Sequence, residues 1–92
     1  MNLQQLEYFK IICETKNFTL ASNILSVTQP ALSKAISKLE DELNVTLFER
    51  EGRNIKITKY GETFLKYAES ALNEIERGKE MLEDMKNRNQ LR

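Results

Sequence analysis

The sequence lacks most of the residues on which enzymes and secreted proteins depend. Its 92 residues contain no histidine, no tryptophan, one proline and one cysteine. Cys13 cannot form an internal disulfide, and it falls on the apolar side of the first predicted helix, where it fills a core. There is also no cysteine pair, no glycine-rich phosphate loop and no carboxylate pair in an apolar setting. We therefore predict a protein that is not an enzyme and needs no metal or other cofactor.

The chain also lacks net charge and long apolar runs. Fourteen Lys and Arg balance fourteen Asp and Glu, whereas nucleic-acid-binding proteins are often strongly basic. Basic charge is concentrated only at residues 28–38, which contain no acid, and at residues 50–59, with four basic residues against one acid. Such patches predict a bounded contact with an anion. With neither a leader peptide nor a membrane span in the pattern, we expect a cytoplasmic protein without a membrane partner.

Helical periodicity dominates the first half of the chain. Asn2 begins a first helix that runs to about Lys16, with Leu3, Leu6, Phe9, Ile12 and Cys13 on one face. Thr19 is the predicted N-cap of a short second helix, with Ala21, Ile24 and Leu25 facing inward. After a tight turn, Thr28 caps a third helix with Pro30 in its first turn, a buried stripe at Leu32, Ile36, Leu39 and Leu43, and Asn44 as its end.

The period then changes twice. Leu47 to Arg50 and Ile55 to Thr58 predict two strands around a glycine-containing turn, which is a hairpin. From Thr58 a long helix follows, with an apolar stripe that repeats every seven residues. The stripe consists of Phe64, Ala68, Ala71, Ile75, Gly78, Leu82 and Met85. The predicted fold is mainly α with a small β-hairpin, divided into a compact domain at residues 1–58 and a long helix at residues 59–92.

A seven-residue stripe usually marks a helix–helix seam. Because the chain offers no second long helix, we predict that the partner is another copy and that these seven stripe residues form a homodimer. A membrane-surface helix is the alternative. It is less favoured because residues 59–92 are charge-neutral and lack the basic face that such helices need.

The second and third helices, at residues 19–39, have the spacing of a helix–turn–helix. That packing pattern alone fits an ordinary helical core as well as it fits a DNA-binding unit. The polar face of the third helix favours DNA, because the N-terminal residues of a recognition helix contact base edges in the major groove. Gln29 can pair with adenine, Lys34 can donate to guanine, and Ser33 can bond a base or a phosphate. Pro30 can press on a thymine methyl group, and the acids at 40–42 would then lie away from DNA.

The hairpin adds a second candidate contact. Its turn holds Gly52 and Arg53, flanked by Arg50 and Lys56, and arginine is favoured in a narrow minor groove. Arg50 could instead pair with a carboxylate inside the domain. The candidate DNA-contacting residues are Thr28, Gln29, Pro30, Ser33, Lys34, Ser37, Lys38, Arg50 and Arg53.

With these motifs in place, the sequence resembles the N-terminal DNA-binding domain of the LysR-type transcriptional regulators. The matching stretches are LQQLEYFKIICETKNFTLAS, LSVTQPALSKAISKLEDELN, LFER and ITKYGETFLKYA. The resemblance implies a winged helix–turn–helix, homodimeric binding to an imperfect inverted repeat of double-stranded DNA, and regulation of transcription. It also implies DNA contacts at Gln29, Pro30, Ser33 and Lys34, and at Arg53 in the hairpin wing.

Three residues depart from the pattern of that family. Ser22 stands where a second alanine is usual, which is tolerable if its hydroxyl bonds to a helical carbonyl. Asn44 replaces a usual glycine, and Lys34 stands where arginine is frequent, so guanine recognition there would be less geometrically selective. The family's small-molecule effector domain is absent from these 92 residues, as in an excised domain or a natural truncation.

Two other functions fit parts of the pattern. A coiled-coil module that binds a protein and no DNA would account for the zero net charge. A nonspecific architectural DNA-binding protein would need only the basic patches.

Overall fold

The computed structural model describes residues 1–51 and 54–90, with Gln90 described in its backbone only. Within these residues, four helices and a two-stranded antiparallel sheet follow one another, and the fold class predicted from the sequence is confirmed. The elements are α1 (Leu3–Thr15), α2 (Phe18–Leu25), α3 (Gln29–Leu43), β1 (Phe48–Glu51), β2 (Asn54–Ile57) and α4 (Lys59–Gln90).

Helix α1 begins with the predicted capping box. The Gln5 backbone N–H donates to Asn2 Oδ1 at 2.8 Å, and the Asn2 N–H donates to Gln5 Oε1 at 3.1 Å. Lys16 ends the helix in the left-handed conformation, with φ 55°. Leu6, Phe9 and Ile12 are buried as predicted, but Leu3 is exposed because it lies on the first turn, beyond the edge of the core.

Helix α2 differs from the prediction at its start. Asn17, and not Thr19, is the N-cap, because its side-chain oxygen accepts the Leu20 N–H at 2.9 Å. An asparagine caps at least as well as a threonine. The helix therefore begins at Phe18 and includes Thr19. Ala21 is buried as predicted, whereas Ile24 points into solvent and is 56% exposed.

Helix α3 agrees with its predicted signals. The Thr28 hydroxyl accepts the Ala31 N–H at 3.2 Å, and Pro30 lies in the first turn, where no backbone donor is missed. Asn44 closes the helix at φ 61°, a conformation that asparagine tolerates better than most residues. Leu32, Ile36 and Leu39 are buried, and Leu43 packs half-buried against the same core.

The hairpin pairs Phe48 with Ile57 and Arg50 with Ile55. Each strand lies within one residue of its prediction. Phe48 and Ile55 are buried, so one face of this small sheet covers the helical domain. The predicted turn residues Gly52 and Arg53 lie outside the described residues.

An aromatic cluster joins the hairpin and α4 to α1. The ring of Phe9 lies 5.4 Å from that of Phe48 and 5.5 Å from that of Phe64, between ring centroids. The start of α4 is fixed by Thr58, whose hydroxyl donates to the Thr46 carbonyl at 2.6 Å and accepts the Gly61 N–H at 3.1 Å. A Cβ at Gly61 would lie 2.5 Å from the Leu47 carbonyl oxygen, so only glycine fits this contact.

The N-terminal part of α4 packs on the core, and the described side chains of the rest of the helix are exposed to solvent. Ala68 is 1% exposed and the half-buried Phe64 packs on the core, so both side chains contact the rest of the chain, and their place in a dimer seam stays a prediction. They are occupied because α4 lies along α1 over its first turns. The compact core therefore continues past residue 58, while the functional division between residues 1–58 and 59–92 stays a prediction. Among the described residues, no helix combines the length and apolarity needed to cross a membrane.

Candidate nucleic-acid interface

The outer face of α3 carries the polar residues selected from the sequence. Pro30, Lys34, Ser37 and Lys38 are exposed, as is the capping residue Thr28, while Gln29 and Ser33 are half-buried. The buried stripe lies on the opposite side and fixes which residues point outward. In the described part of the chain, neither Lys34 nor Lys38 has a carboxylate oxygen within 4.0 Å. Their charges are therefore available to an anion.

The side chains of Gln29 and Ser33 are hydrogen-bonded to each other on this face. The Gln29 side-chain amide donates to the Ser33 hydroxyl at 3.3 Å, one helical turn away. An amide has two N–H donors and one carbonyl acceptor, so one donor and the acceptor of Gln29 have no partner among the described residues. That pair is what adenine requires in the major groove.

Arg50 lies beside this helical face, opposite Ile55 and one residue before the end of β1. Its guanidinium carbon is 5.0 Å from the centre of the Phe18 ring. The alternative of an internal salt bridge is not supported, because within residues 1–51 and 54–90 no carboxylate oxygen lies within 4.0 Å of Arg50. Arg50 and Gln29 line one groove of about 350 Å³, together with Thr19 and Asn54. Arg50 also lines a hollow of about 110 Å³ with Ser33 and Ser37.

The candidate contacts thus form one continuous surface from α3 to Arg50 in β1, with one exception. Arg53 falls between the described strand ends at Glu51 and Asn54, so its predicted place at the tip of the wing is outside the described residues.

The acids at the end of α3 have structural partners that the sequence did not suggest. Glu40 Oε2 accepts the backbone N–H of Leu47 at 2.6 Å and that of Phe48 at 3.4 Å. Glu42 Oε1 accepts the N-terminal ammonium at 2.6 Å. Glu40 therefore ties α3 to the hairpin, and Glu42 ties it to the N-terminus.

Sequence reasoning missed two residues of the surface. Phe18 was not selected at all, and Thr19 was assigned only as a cap. Both lie in the first turn of α2 and line the groove that contains Arg50. The sequence signal that could have found them is Asn17, a good capping residue, because a helix capped there includes Phe18 and Thr19 in its first turn.

The exposed half of the α4 stripe is a second candidate surface. Ile75, Leu82 and Met85 are 43%, 61% and 49% exposed. Gly78 lies between them, and a Cβ there would meet no atom within 4 Å in the described structure. Ala71 sits at the transition, half-buried against the core. Ile75 borders a groove with Leu3 and Leu25, but among the described residues Leu82 and Met85 do not belong to the core or to the residues packed against it.

Cys13 is not poised for chemistry. Desolvation by burial, with smaller contributions from the carboxylates of Glu69 and Glu14, raises the pKa of its thiol to about 12. A neutral thiol is a poor nucleophile.

Comparison with known proteins identifies the family to which the chain belongs. Residues 3–62 match the family model described as bacterial regulatory helix-turn-helix protein, lysR family. The chain belongs to the LysR family, a family of transcriptional regulators, and the prediction that it is not an enzyme is confirmed.

The sequences of relatives align with almost the whole chain. The transcriptional dual regulator GltC of Bacillus subtilis is 46% identical over 84 residues, covering 91% of this chain and 28% of the relative. The uncharacterized HTH-type transcriptional regulator YybE of the same organism is 42% identical over 83 residues, covering 90% of this chain and 28% of the relative. The chain thus spans less than a third of the length of these relatives.

Solved structures share the fold. The BenM DBD in complex with catB site 1 DNA superposes with a TM-score of 0.88 at 36% identity, covering 92% of this chain and 96% of that chain. The CbnR DBD–DNA complex gives a TM-score of 0.84 at 35% identity, covering 87% and 92% of the two chains.

Proposed function

We propose that the chain binds double-stranded DNA in a sequence-specific manner, with α3 in the major groove and the hairpin wing at a minor groove. The observation that carries the proposal is the uninterrupted polar surface of α3 and Arg50, in which no basic side chain is neutralised by a described carboxylate. The similar BenM and CbnR domains, whose structures contain DNA, support it.

The residues of this surface divide by the groups they would meet. Gln29, Ser33 and Lys34 contact base edges, and Pro30 contacts a thymine methyl group. Thr28, Ser37 and Lys38, on the same exposed face, contact the phosphate backbone. Arg53 completes the set in the minor groove, where a narrow groove attracts arginine.

The proposal includes a homodimer through the exposed half of the α4 stripe. Ile75, Gly78, Leu82 and Met85 would form the seam, with Ala71 at its inner end. A two-fold dimer presents two copies of α3, so the DNA site would be an imperfect inverted repeat whose half-site spacing follows the separation of the two helices. The expected role is regulation of transcription in the cytoplasm, with residues 1–58 supplying the DNA contacts and residues 59–92 the dimer.

The test is selection of bound sequences from a random duplex pool at about physiological salt. We expect an enriched inverted repeat. We then expect Gln29→Ala to weaken binding to that repeat by about 1–3 kcal/mol and to relax preference at one base pair per half-site. Gln4→Ala is the matched control, because Gln4 is an exposed glutamine on α1.

Three outcomes would count against the proposal. Equal losses on the repeat and on random DNA for Gln29→Ala would remove its base-contacting role. Binding without enrichment would favour the nonspecific architectural protein. No binding at moderate salt would favour the protein-interaction module that the zero net charge also fits.

A further inference from the structure

Arg50 is an arginine on the inner face of a short strand. It is two residues from the buried Phe48, so both side chains lie on the side of the hairpin that faces the helical domain. Among the described residues, no carboxylate oxygen lies within 4.0 Å of Arg50. Arg50 instead stacks on an aromatic ring, and its side chain remains exposed.

The ring under Arg50 is itself fixed by the core. Phe18 meets Phe48 edge to face, with 6.0 Å between ring centroids, and Phe48 in turn packs on the fully buried Phe9. The stack therefore rests on a continuous aromatic series that runs from the centre of the domain to its surface. A guanidinium packed on such a ring is attracted to its face and loses freedom to swing away.

The stack places the guanidinium beside two cavities that α3 helps to form. Arg50 lines a groove with Gln29 and Thr19, and it lines a smaller hollow with Ser33, Ser37 and Glu40, whose carboxylate is tied to the backbone N–H groups of Leu47 and Phe48. Gln29 and Ser33 lie on the proposed base-contacting face of α3. Arg50 thus lies at the edge of the region that base pairs would occupy, where the sugar–phosphate backbone borders the groove.

We propose that Arg50 binds a backbone phosphate and that Phe18 is the positioning residue that holds its guanidinium in place for this contact. The inference rests on the proposed DNA-binding function and goes beyond it by assigning a role to Phe18. A planar guanidinium matches two phosphate oxygens at once, and it does so best when its plane is already set. The contact carries no sequence information but fixes how α3 enters the groove.

The experiment measures binding of a labelled duplex of random sequence over a range of salt concentrations, so it needs no knowledge of the preferred site. We expect Arg50→Ala to reduce the slope of log affinity against log salt by about 0.9, the value for one lost phosphate contact. We expect Phe18→Leu, which keeps an apolar side chain but removes the ring face, to weaken binding about two- to fivefold. Phe18→Tyr keeps the ring face and should bind as tightly as the unmodified protein.

A double-mutant cycle separates positioning from general stability. In the Arg50→Ala background, Phe18→Leu should have no further effect on DNA affinity. Phe64→Leu is the structural control, because Phe64 belongs to the same aromatic cluster but packs on Phe9 from α4. That control should lower the melting temperature while leaving the affinity of the folded protein and its salt slope unchanged.

Several results would overturn the inference. Additive losses in the cycle would mean that Phe18 acts through folding and not through Arg50. An unchanged salt slope for Arg50→Ala would mean that Arg50 does not bind phosphate. No binding by the unmodified protein even at low salt would overturn the proposed function and this inference together, whereas the first two results would overturn the inference alone.

Discussion

At the scale of single residues, two departures from the family pattern are explained by local hydrogen bonding and backbone conformation. The buried Ser22 hydroxyl donates to the Thr19 carbonyl at 2.7 Å, so its polar atom is satisfied where an alanine would need no partner. Asn44 takes the left-handed conformation that a glycine would take more easily. Both outcomes had been expected from the residue types, because both depend on atoms only a few positions away in the chain.

Cys13 gives a prediction about reactivity. Its thiol is half-buried with a pKa of about 12, against 9.0 for the unperturbed group. Because the thiolate is the reactive species, alkylation by iodoacetamide near pH 8 should be at least about a hundredfold slower in the folded protein than in denaturant. Similar rates in the two states would show that the thiol ionises freely in the native structure.

The same raised pKa has a consequence for stability against pH. The folded state favours the protonated thiol, so this contribution is complete below the unfolded value of 9.0 and is lost as the pH rises toward about 12. Denaturant titrations across that interval should show a smaller loss for Cys13→Ala than for the unmodified chain. An equal loss would assign the alkaline destabilisation to other groups.

At the scale of elements, the connection between α3 and the hairpin depends on one carboxylate. Glu40 accepts two backbone N–H groups, those of Leu47 just before β1 and of Phe48 at its start. The hairpin is only two strands of four residues each, too small to be stable by itself. Its position relative to the polar face of α3 is therefore determined by this tether and by the packing of Phe48.

We accordingly expect Glu40→Ala to lower the free energy of unfolding by about 1–3 kcal/mol, the range for a lost charged hydrogen bond that leaves buried donors unpaired. Asp41→Ala is the matched control, an exposed acid in the next position, and should change stability by less than about 0.5 kcal/mol. Chemical denaturation of the two variants makes the comparison. Equal effects would mean that the tether contributes nothing beyond the removal of an acid from the end of α3.

At the scale of the whole molecule, α4 makes the protein elongated. Thirty-two residues of helix span about 48 Å, and the molecule measures 60 Å in its longest direction but only 25 Å and 19 Å in the others. A helix that extends from a small domain with an exposed apolar stripe cannot bury that stripe without a partner. This shape is the physical basis for the proposed dimer.

The dimer predicts a change in mass. Ile75→Asp together with Leu82→Asp should convert the protein to a monomer in sedimentation equilibrium, because two carboxylates per helix would be buried without partners. Asn87→Asp adds one negative charge at an exposed position off the stripe and should leave the mass unchanged. A dimer that survives the double substitution would place the contact elsewhere.

The secondary structure could be predicted from the sequence to within a few residues, and the candidate interface only in part. Helix starts at Asn2 and Thr28 and the end at Asn44 were identified because each cap bonds to groups within one turn. The start of α2 was placed wrongly because Asn17 and Thr19 are both good caps, and only the surrounding packing selects between them. Gln29, Ser33 and Lys34 were identified because the buried side of α3 determines its outer side.

The sequence by itself determined the features that depend on neighbours a few residues apart: the order of elements, the caps, the face of α3 that points outward and the family pattern. Only the tertiary structure decided which partner each long-range group takes. Arg50 stacks on Phe18, 32 positions earlier, and the α4 stripe is divided between core residues and exposed ones. The reason is that periodicity specifies which side of an element is apolar or charged, whereas the packing of distant segments determines what that side meets.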